Sequence, residues 1–149
     1  MSNVLIAIIV LLITFVLMGL GVYENVEASR RSSLAMTVGS KMSRLGTQNK
    51  ELALELGRNL NSPSSESSTG LASYDQDALD REAFGSVSFS FIENASGYYV
   101  CARSNEVSAT TREAFEMVAR DRPPSFVSGA CGVAATAIST TVAVSMRLN

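Results

Sequence analysis

The side chains best suited to catalysis or metal binding do not form a recognised catalytic pattern. Four carboxylates lie close together in the middle of the chain: Asp75, Asp77, Asp80 and Glu82. Such a group can bind Ca²⁺ or act as acid and base, but its spacing is not that of an EF-hand, and a solvated charged loop is the commoner origin. The chain has no His to activate its many Ser hydroxyls. We therefore expect no catalytic site, no metal site and no cofactor.

The chain has 2 cysteines, Cys101 and Cys131, which are its other reactive side chains. They are not a C-x-x-C pair, so redox catalysis is not indicated. An even pair in a chain with an apolar start favours one disulfide in an oxidising compartment, and two buried reduced thiols are the alternative. A bridge between them would contribute about 3 to 4 kcal/mol, which is substantial for a small domain.

The apolar start, residues 1–23, determines how the rest of the chain can be positioned. From Val4 to Val22 it contains no charge and no Pro, and Thr14 is its one polar side chain. As an α-helix this run would be about 28 Å long, close to the hydrocarbon thickness of a bilayer. Because the run is apolar on all sides, its surroundings must be lipid or the same segment of neighbouring copies.

The expected assembly surface consists of apolar positions of this run together with two glycines. These residues are Val4, Leu5, Ile8, Ile9, Leu12, Phe15, Val16, Gly19 and Gly21. A Gly in a helix interior costs up to about 1 kcal/mol relative to Ala. Gly19 and Gly21 therefore mark either a place where the helix can loosen or a close helix contact through small residues.

Residues 24–60 carry apolar side chains at spacings of three, four and seven, which is typical of an amphipathic helix. The apolar stripe consists of Leu34, Val38, Met42, Leu45, Leu52, Leu56 and Leu60. Pro63 ends the helical pattern, and residues 61–84 are predicted to be a Ser-rich connecting loop. The remaining residues, 85–149, are expected to form the globular domain.

Alternating apolar residues predict a β-hairpin at the start of this domain. Val87, Phe89 and Phe91 alternate with serines, and residues 98–103 follow the turn sequence 94–97 as the second strand. Asn94 also begins a glycosylation acceptor pattern, for which a chance match is the better explanation in a turn of this composition. Tyr98, Tyr99 and Phe126 are expected in the sheet core rather than on a binding surface.

A short helix and one or two further strands are predicted to complete the domain. Thr110 and Glu113 fit a capping box, and Pro123-Pro124 would end the helix that it starts. Phe126 begins another extended piece, and residues 141–148 alternate as a final strand. The order of elements predicts an α+β fold in which the long helix packs on a small antiparallel sheet.

The charges around the apolar start give conflicting signals about topology. No basic side chain precedes it, and the first basic residues that follow it are Arg30, Arg31, Lys41 and Arg44. The positive-inside rule would then leave the domain in the cytoplasm, whereas a disulfide requires an oxidising compartment. Both are satisfied if a basic leader preceding Met1 has been removed, and an intact mass of the native protein would test this.

The architecture resembles the type IV pilin superfamily over the whole chain. Members of that superfamily begin with an apolar helix, continue it as an amphipathic stalk, and pack an antiparallel sheet on the stalk. The segment from Cys101 to Cys131 is similar to the disulfide-bounded C-terminal segment of pilins, and Met1 as mature first residue suits the type IVb or conjugative-type branch. The resemblance implies leader removal by a prepilin peptidase and N-methylation of Met1.

Two positions depart from the common pilin pattern. Many pilins have Glu at mature position five and Pro near position 22, whereas this chain has Leu5 and Val22. Without that carboxylate, the ammonium of Met1 loses its usual partner in the next subunit. Gly19 and Gly21 would then supply the helix loosening for which pilins use Pro.

The resemblance implies a structural subunit of a helical filament, stored in the bacterial inner membrane and then assembled into an extracellular pilus. Its partners would be copies of itself and the pilus assembly machinery. The net charge of −2 indicates no nucleic-acid site. The alternative is a single-span inner-membrane accessory protein of a pilus or secretion machine, which would be absent from sheared filaments.

Overall fold

The first element of the chain is a single α-helix. The computed structural model describes residues 2–55, 87–94 and 96–148. Helix α1 runs through Ser2–Glu55 and is about 80 Å long at 1.5 Å per residue. The predictions made for Met1, for residues 56–60 of the amphipathic helix and for the connecting loop, 61–84, lie outside the described residues.

A four-stranded antiparallel sheet and a second helix follow α1. The strands are β1 (Val87–Asn94), β2 (Gly97–Ser104), β3 (Ser125–Ser128) and β4 (Val142–Arg147), and α2 (Ala109–Asp121) lies between β2 and β3 in the chain. The strand order is β1-β2-β4-β3, so β4 is inserted between the hairpin and β3. The predicted α+β class, with a long N-terminal helix on a small antiparallel sheet, is confirmed.

The hairpin β1–β2 forms as the alternation predicts. Phe89 pairs with Ala102 and Phe91 with Val100, so the apolar side chains of both strands share one face of the sheet. Val87 and Phe89 are fully buried on that face, while Ser88 and Ser90, which alternate with them, point to the other face. This face is the side of the sheet that α1 covers.

The apolar stripe of α1 forms one half of the core. The side chains that it buries are Leu34, Ala35, Val38, Met42 and Leu45, and they belong to one cluster with the covered face of the sheet. Asn49 continues the stripe, is buried, and donates to the carbonyl of Leu45 at 2.8 Å. The predicted stripe is thus confirmed from Leu34 to Leu45.

Helix α2 packs beside α1 and completes the cover of the sheet. Its buried side chains are Thr111, Ala114, Phe115 and Val118, which form one face of the helix. The helix ends at Asp121, directly before the cis Pro123-Pro124 bond, as the prolines predict.

The predicted capping box at Thr110 and Glu113 is wrong. The N-cap of α2 is Ser108, whose hydroxyl accepts from the backbone N–H of Thr111 at 3.1 Å. Thr110 instead donates to the Glu27 carboxylate at 2.6 Å, and Glu113 forms an ion pair with Arg31. Both polar side chains therefore serve contacts with α1, which a local sequence pattern does not reveal.

Replacing Ser108 by Ala is expected to lower the free energy of unfolding by about 1 kcal/mol, since the cap of α2 is lost. Thr110→Ser is the matched control, because it keeps the hydroxyl that donates to Glu27 and leaves the cap of α2 in place, so it should cost less than Ser108→Ala. Chemical denaturation followed by circular dichroism measures both variants. An unfolding free energy for Ser108→Ala equal to that of the native chain would contradict the assignment of the cap.

The second face of the sheet is covered by residues 129–141, which we call the cover loop. Its Gly132 N–H donates to the Ser145 hydroxyl at 2.9 Å, and its Gly132 carbonyl accepts from the Asn94 amide at 2.8 Å. Ala143 and Ser145 are consequently fully buried, although the alternation of β4 placed them opposite the apolar face. Gly132 has φ +72°, a backbone conformation that side chains other than Gly rarely adopt.

Candidate functional site

The N-terminal part of α1 projects beyond the described remainder of the protein. We call residues 4–23 the apolar segment, and its side chains are exposed throughout. The predicted assembly residues are all within it and exposed: Val4, Leu5, Ile8, Ile9, Leu12, Phe15, Val16, Gly19 and Gly21. The structure therefore leaves every one of these side chains available to surroundings outside the chain.

The apolar segment has no protected side. Among its large apolar residues the exposed fraction ranges only from 47% at Ile9 to 67% at Phe15. A helix that docks against one partner would show a covered stripe or a polar back, as α2 does. The uniform exposure instead requires apolar surroundings on all sides, which a bilayer or a bundle of like helices provides.

The energetic cost of leaving this segment in water is large. Burying one Leu, Ile or Phe side chain is worth about 1.5 to 3 kcal/mol, and the segment consists almost entirely of such residues. Within the described part of the chain, α1 is the one helix long and apolar enough to cross a membrane. At about 30 Å, the segment matches the hydrocarbon thickness of a bilayer.

Two polar side chains in and next to the segment donate to backbone carbonyls of the helix itself. Thr14 donates its hydroxyl proton to the carbonyl of Val10 at 2.8 Å, and Asn25 donates to the carbonyl of Gly21 at 2.9 Å. Thr14 thereby uses its single donor and Asn25 one of its two amide N–H donors without water or a partner, which reduces the cost of apolar surroundings. The spacing of four residues in both pairs is visible in the sequence, although Asn25 was not among the predicted site residues.

Gly19 and Gly21 lie within the continuous helix near the end of the apolar segment. A Cβ added at either position would meet no atom within 4 Å. The structure thus shows a regular helix at both glycines and open space beside them, into which a neighbouring helix can fit closely.

Two polar contacts mark where α1 joins the head, by which we mean the described residues from 87 to 148. The first is the hydrogen bond from Thr110 to Glu27, and the second is the ion pair of Arg31 with Glu113. Both lie on the first turns of α1 after the apolar segment. The head therefore begins where the apolar segment ends, and it leaves that segment entirely uncovered.

The disulfide is present. Cys101 in β2 bonds to Cys131 in the cover loop, with a Cα–Cα distance of 5.7 Å, and the described residues contain no free cysteine. Cys101 is completely buried between β1 and β4. The bond ties the cover loop to the centre of the sheet, so its role is structural.

The predicted aromatic side chains all belong to the packing of the sheet. Tyr98 is buried beside Phe91 on the face that α1 covers, with ring centroids 5.8 Å apart. Tyr99 lies on the other face, where its ring and that of Phe126 are T-shaped, with ring centroids 5.8 Å apart. The assignment of Tyr98 and Tyr99 to the buried part of the sheet is confirmed, whereas Phe126 is half-buried and packs on Tyr99 outside the core.

Asn94 has a structural role that competes with glycosylation. Its Nδ2 donates to the Gly132 carbonyl, and its Oδ1 accepts from the Ser96 N–H at 2.9 Å. Attachment of a glycan at Nδ2 would displace the contact that holds the cover loop to the end of β1. The geometry agrees with a chance match to the acceptor pattern.

A metal site would need a group of metal-ligating side chains close together. The described residues contain no group of three or more His, Cys, Asp or Glu side chains arranged to hold a metal ion. The carboxylates at positions 75, 77, 80 and 82 lie outside the described residues. Comparison of the chain with protein-family models, with curated proteins and with solved structures gives no match.

Proposed function

We propose that this chain is the structural subunit of a type IV pilus-like extracellular filament, assembled by bundling of its apolar segments. The observation that carries the proposal is the apolar segment itself, which is exposed on all sides and projects from a folded head. Copies of the segment packed side by side would remove it from water in every direction. The heads would then form the outer surface of the filament.

The position of the head on α1 supports this arrangement. The described polar contacts of the head with α1 begin at Glu27 and Arg31, and the helix is exposed from residue 4 to residue 26. A head placed further toward the N-terminus would block neighbouring segments from packing together. Because the head is separate from the apolar segment, the chain can also reside in a membrane before assembly. A bilayer and a helix bundle both bury the apolar surface of the segment.

Leu5 sets the chemistry of such a bundle apart from that of most pilins. An exposed Leu at this position adds apolar area to the bundle, where pilins place a carboxylate beside the amino terminus of a neighbour. Assembly of this chain would then depend on apolar burial at about 25 cal/mol per Å² rather than on a buried charge pair.

Shearing cells that express the chain tests the proposal directly. We expect helical filaments in electron micrographs of the sheared material, with this chain as their dominant protein by mass spectrometry. The competing function is that of a single-span accessory protein of a pilus or secretion machine. Recovery of the chain only as detergent-solubilised particles from the membrane, with none in the sheared fraction, would favour that function and overturn ours.

A further inference from the structure

The end of the head nearest the apolar segment is formed by the loop between β2 and α2. Strand β2 runs toward the apolar segment: its Val100 pairs with Met146, which reaches Gly46 of α1, and its Ala102 pairs with Phe89, which lies beneath Lys41. Helix α2 runs back in the opposite direction. The loop of residues 105–108 is therefore a turning point at this end of the head.

The contacts between the helices give the height of this loop along α1. Thr110 meets Glu27, Glu113 meets Arg31, and Arg122 meets Ser43, so positions on α1 and α2 increase together and the helices run parallel. Thr110 lies level with Glu27, which follows Tyr23 by about one helical turn. The N-terminus of α2, and the loop that leads into it, therefore lie about one turn beyond the end of the apolar segment.

The loop presents an apolar side chain on a fixed backbone. Val107 is 39% exposed, and outside α1 the described chain has one other exposed large apolar residue, Val133 at 49%. Ser104 holds one end of the loop by accepting from the Glu106 N–H at 3.0 Å. Ser108 holds the other end as the N-cap of α2.

We propose that Val107 and its loop contact the lipid headgroup layer while the apolar segment spans a bilayer. The inference rests on the membrane-stored state in the proposed function. Its argument is continuity: the hydrocarbon core ends where the apolar segment ends, the headgroup layer extends about 5 to 7 Å further, and the loop leads into α2 at about that distance. The exposed charged residues of the loop and of the first turns of α1 after the apolar segment are of both signs, Glu24, Arg30 and Glu106, so no strongly charged lipid is required.

A tryptophan scan of the full chain in phosphatidylcholine vesicles tests this contact, since the native chain contains no Trp. Val107→Trp is compared with Val133→Trp, a matched exposed valine in the cover loop. Val133 lies near Gly132, which contacts Asn94 at the opposite end of the head. We expect lipids brominated near the headgroup to quench Val107→Trp several-fold more than Val133→Trp, and aqueous iodide to quench Val133→Trp more.

Phe15→Trp, in the apolar segment, reports whether the chain has inserted at all. Lipids brominated deep in the acyl chain are used for this variant, because Phe15 lies near the middle of the segment. Strong quenching of Phe15→Trp by these lipids, with equal and weak quenching of the two valine variants by headgroup-brominated lipids, would overturn the headgroup contact and leave the membrane-spanning helix intact. Quenching of Val107→Trp that appears only at a high ratio of protein to lipid would also overturn the headgroup contact. It would indicate that Val107 contacts a neighbouring copy of the chain instead. Absence of quenching at Phe15→Trp would overturn the premise that the apolar segment spans a bilayer. Assembly into filaments is tested separately, by the sheared-filament experiment.

Discussion

Leu12→Asp is expected to weaken the partitioning of the chain into the membrane and to remove it from sheared filaments. The side chain lies in the middle of the apolar segment, where it is exposed to whatever surrounds that segment. A carboxylate at the centre of a spanning helix costs about 2.5 to 3.5 kcal/mol on insertion scales, which corresponds to a loss of roughly two orders of magnitude in partitioning. In a bundle, every copy would bury the same unpaired charge.

Met36→Asp is the matched control, because Met36 is an apolar residue of the same helix that is also highly exposed. It lies beyond the apolar segment, beside the head, so a carboxylate there stays in water and should leave membrane retention and assembly unchanged. Immunoblots of membrane, soluble and sheared fractions measure both variants. Normal amounts of Leu12→Asp in sheared filaments would show that the apolar segment does not form their core.

Removing the disulfide is expected to cause the largest loss of head stability. The variant Cys101→Ala/Cys131→Ala frees a chain segment with a sequence separation of 30. The chain-entropy model gives about 3 to 4 kcal/mol for a loop of that size, a large part of the stability of a domain this small. The midpoint of urea unfolding should therefore fall markedly, and hydrogen exchange should accelerate first in the cover loop.

The native chain treated with a reductant controls for the two side-chain replacements, since it loses the bond without losing either sulfur. Its unfolding midpoint should fall close to that of the double variant, and reductant should leave the double variant itself unchanged. Equal midpoints for the native chain and the double variant would mean that the hydrogen bonds of Gly132 to Ser145 and Asn94 hold the cover loop without the bond.

Local patterns predicted the elements of this fold well. The apolar stripe of α1, the β1–β2 hairpin and the end of α2 before Pro123 all follow from spacing and backbone restrictions that act within a few residues. The capping box failed because Ser108 and Thr110 are both suitable caps by type. The choice between them depends on Glu27, which is distant in sequence but adjacent in space.

The burial of Ser145 and Ala143 could not be predicted from the alternation of β4. A two-residue period says which side chains share a face, but it does not say whether the opposite face meets water. The second face of the sheet is buried because the cover loop packs on it. The loop is attached to the sheet by the Cys131 disulfide and by the hydrogen bond from Gly132 to Ser145. The burial of Asn49 was likewise not predicted. Its position continues the apolar stripe of α1, but its side chain is a polar amide.

Composition and length alone predict that residues 4–23 form a helix that needs apolar surroundings, because the segment is uniformly apolar and long enough to span a bilayer. The two cysteines likewise predict the bond between Cys101 and Cys131. The strand order and the contacts that place the head just beyond the apolar segment are visible only in the folded structure. Each of these depends on which distant surfaces bury one another, a choice made by the folded chain as a whole.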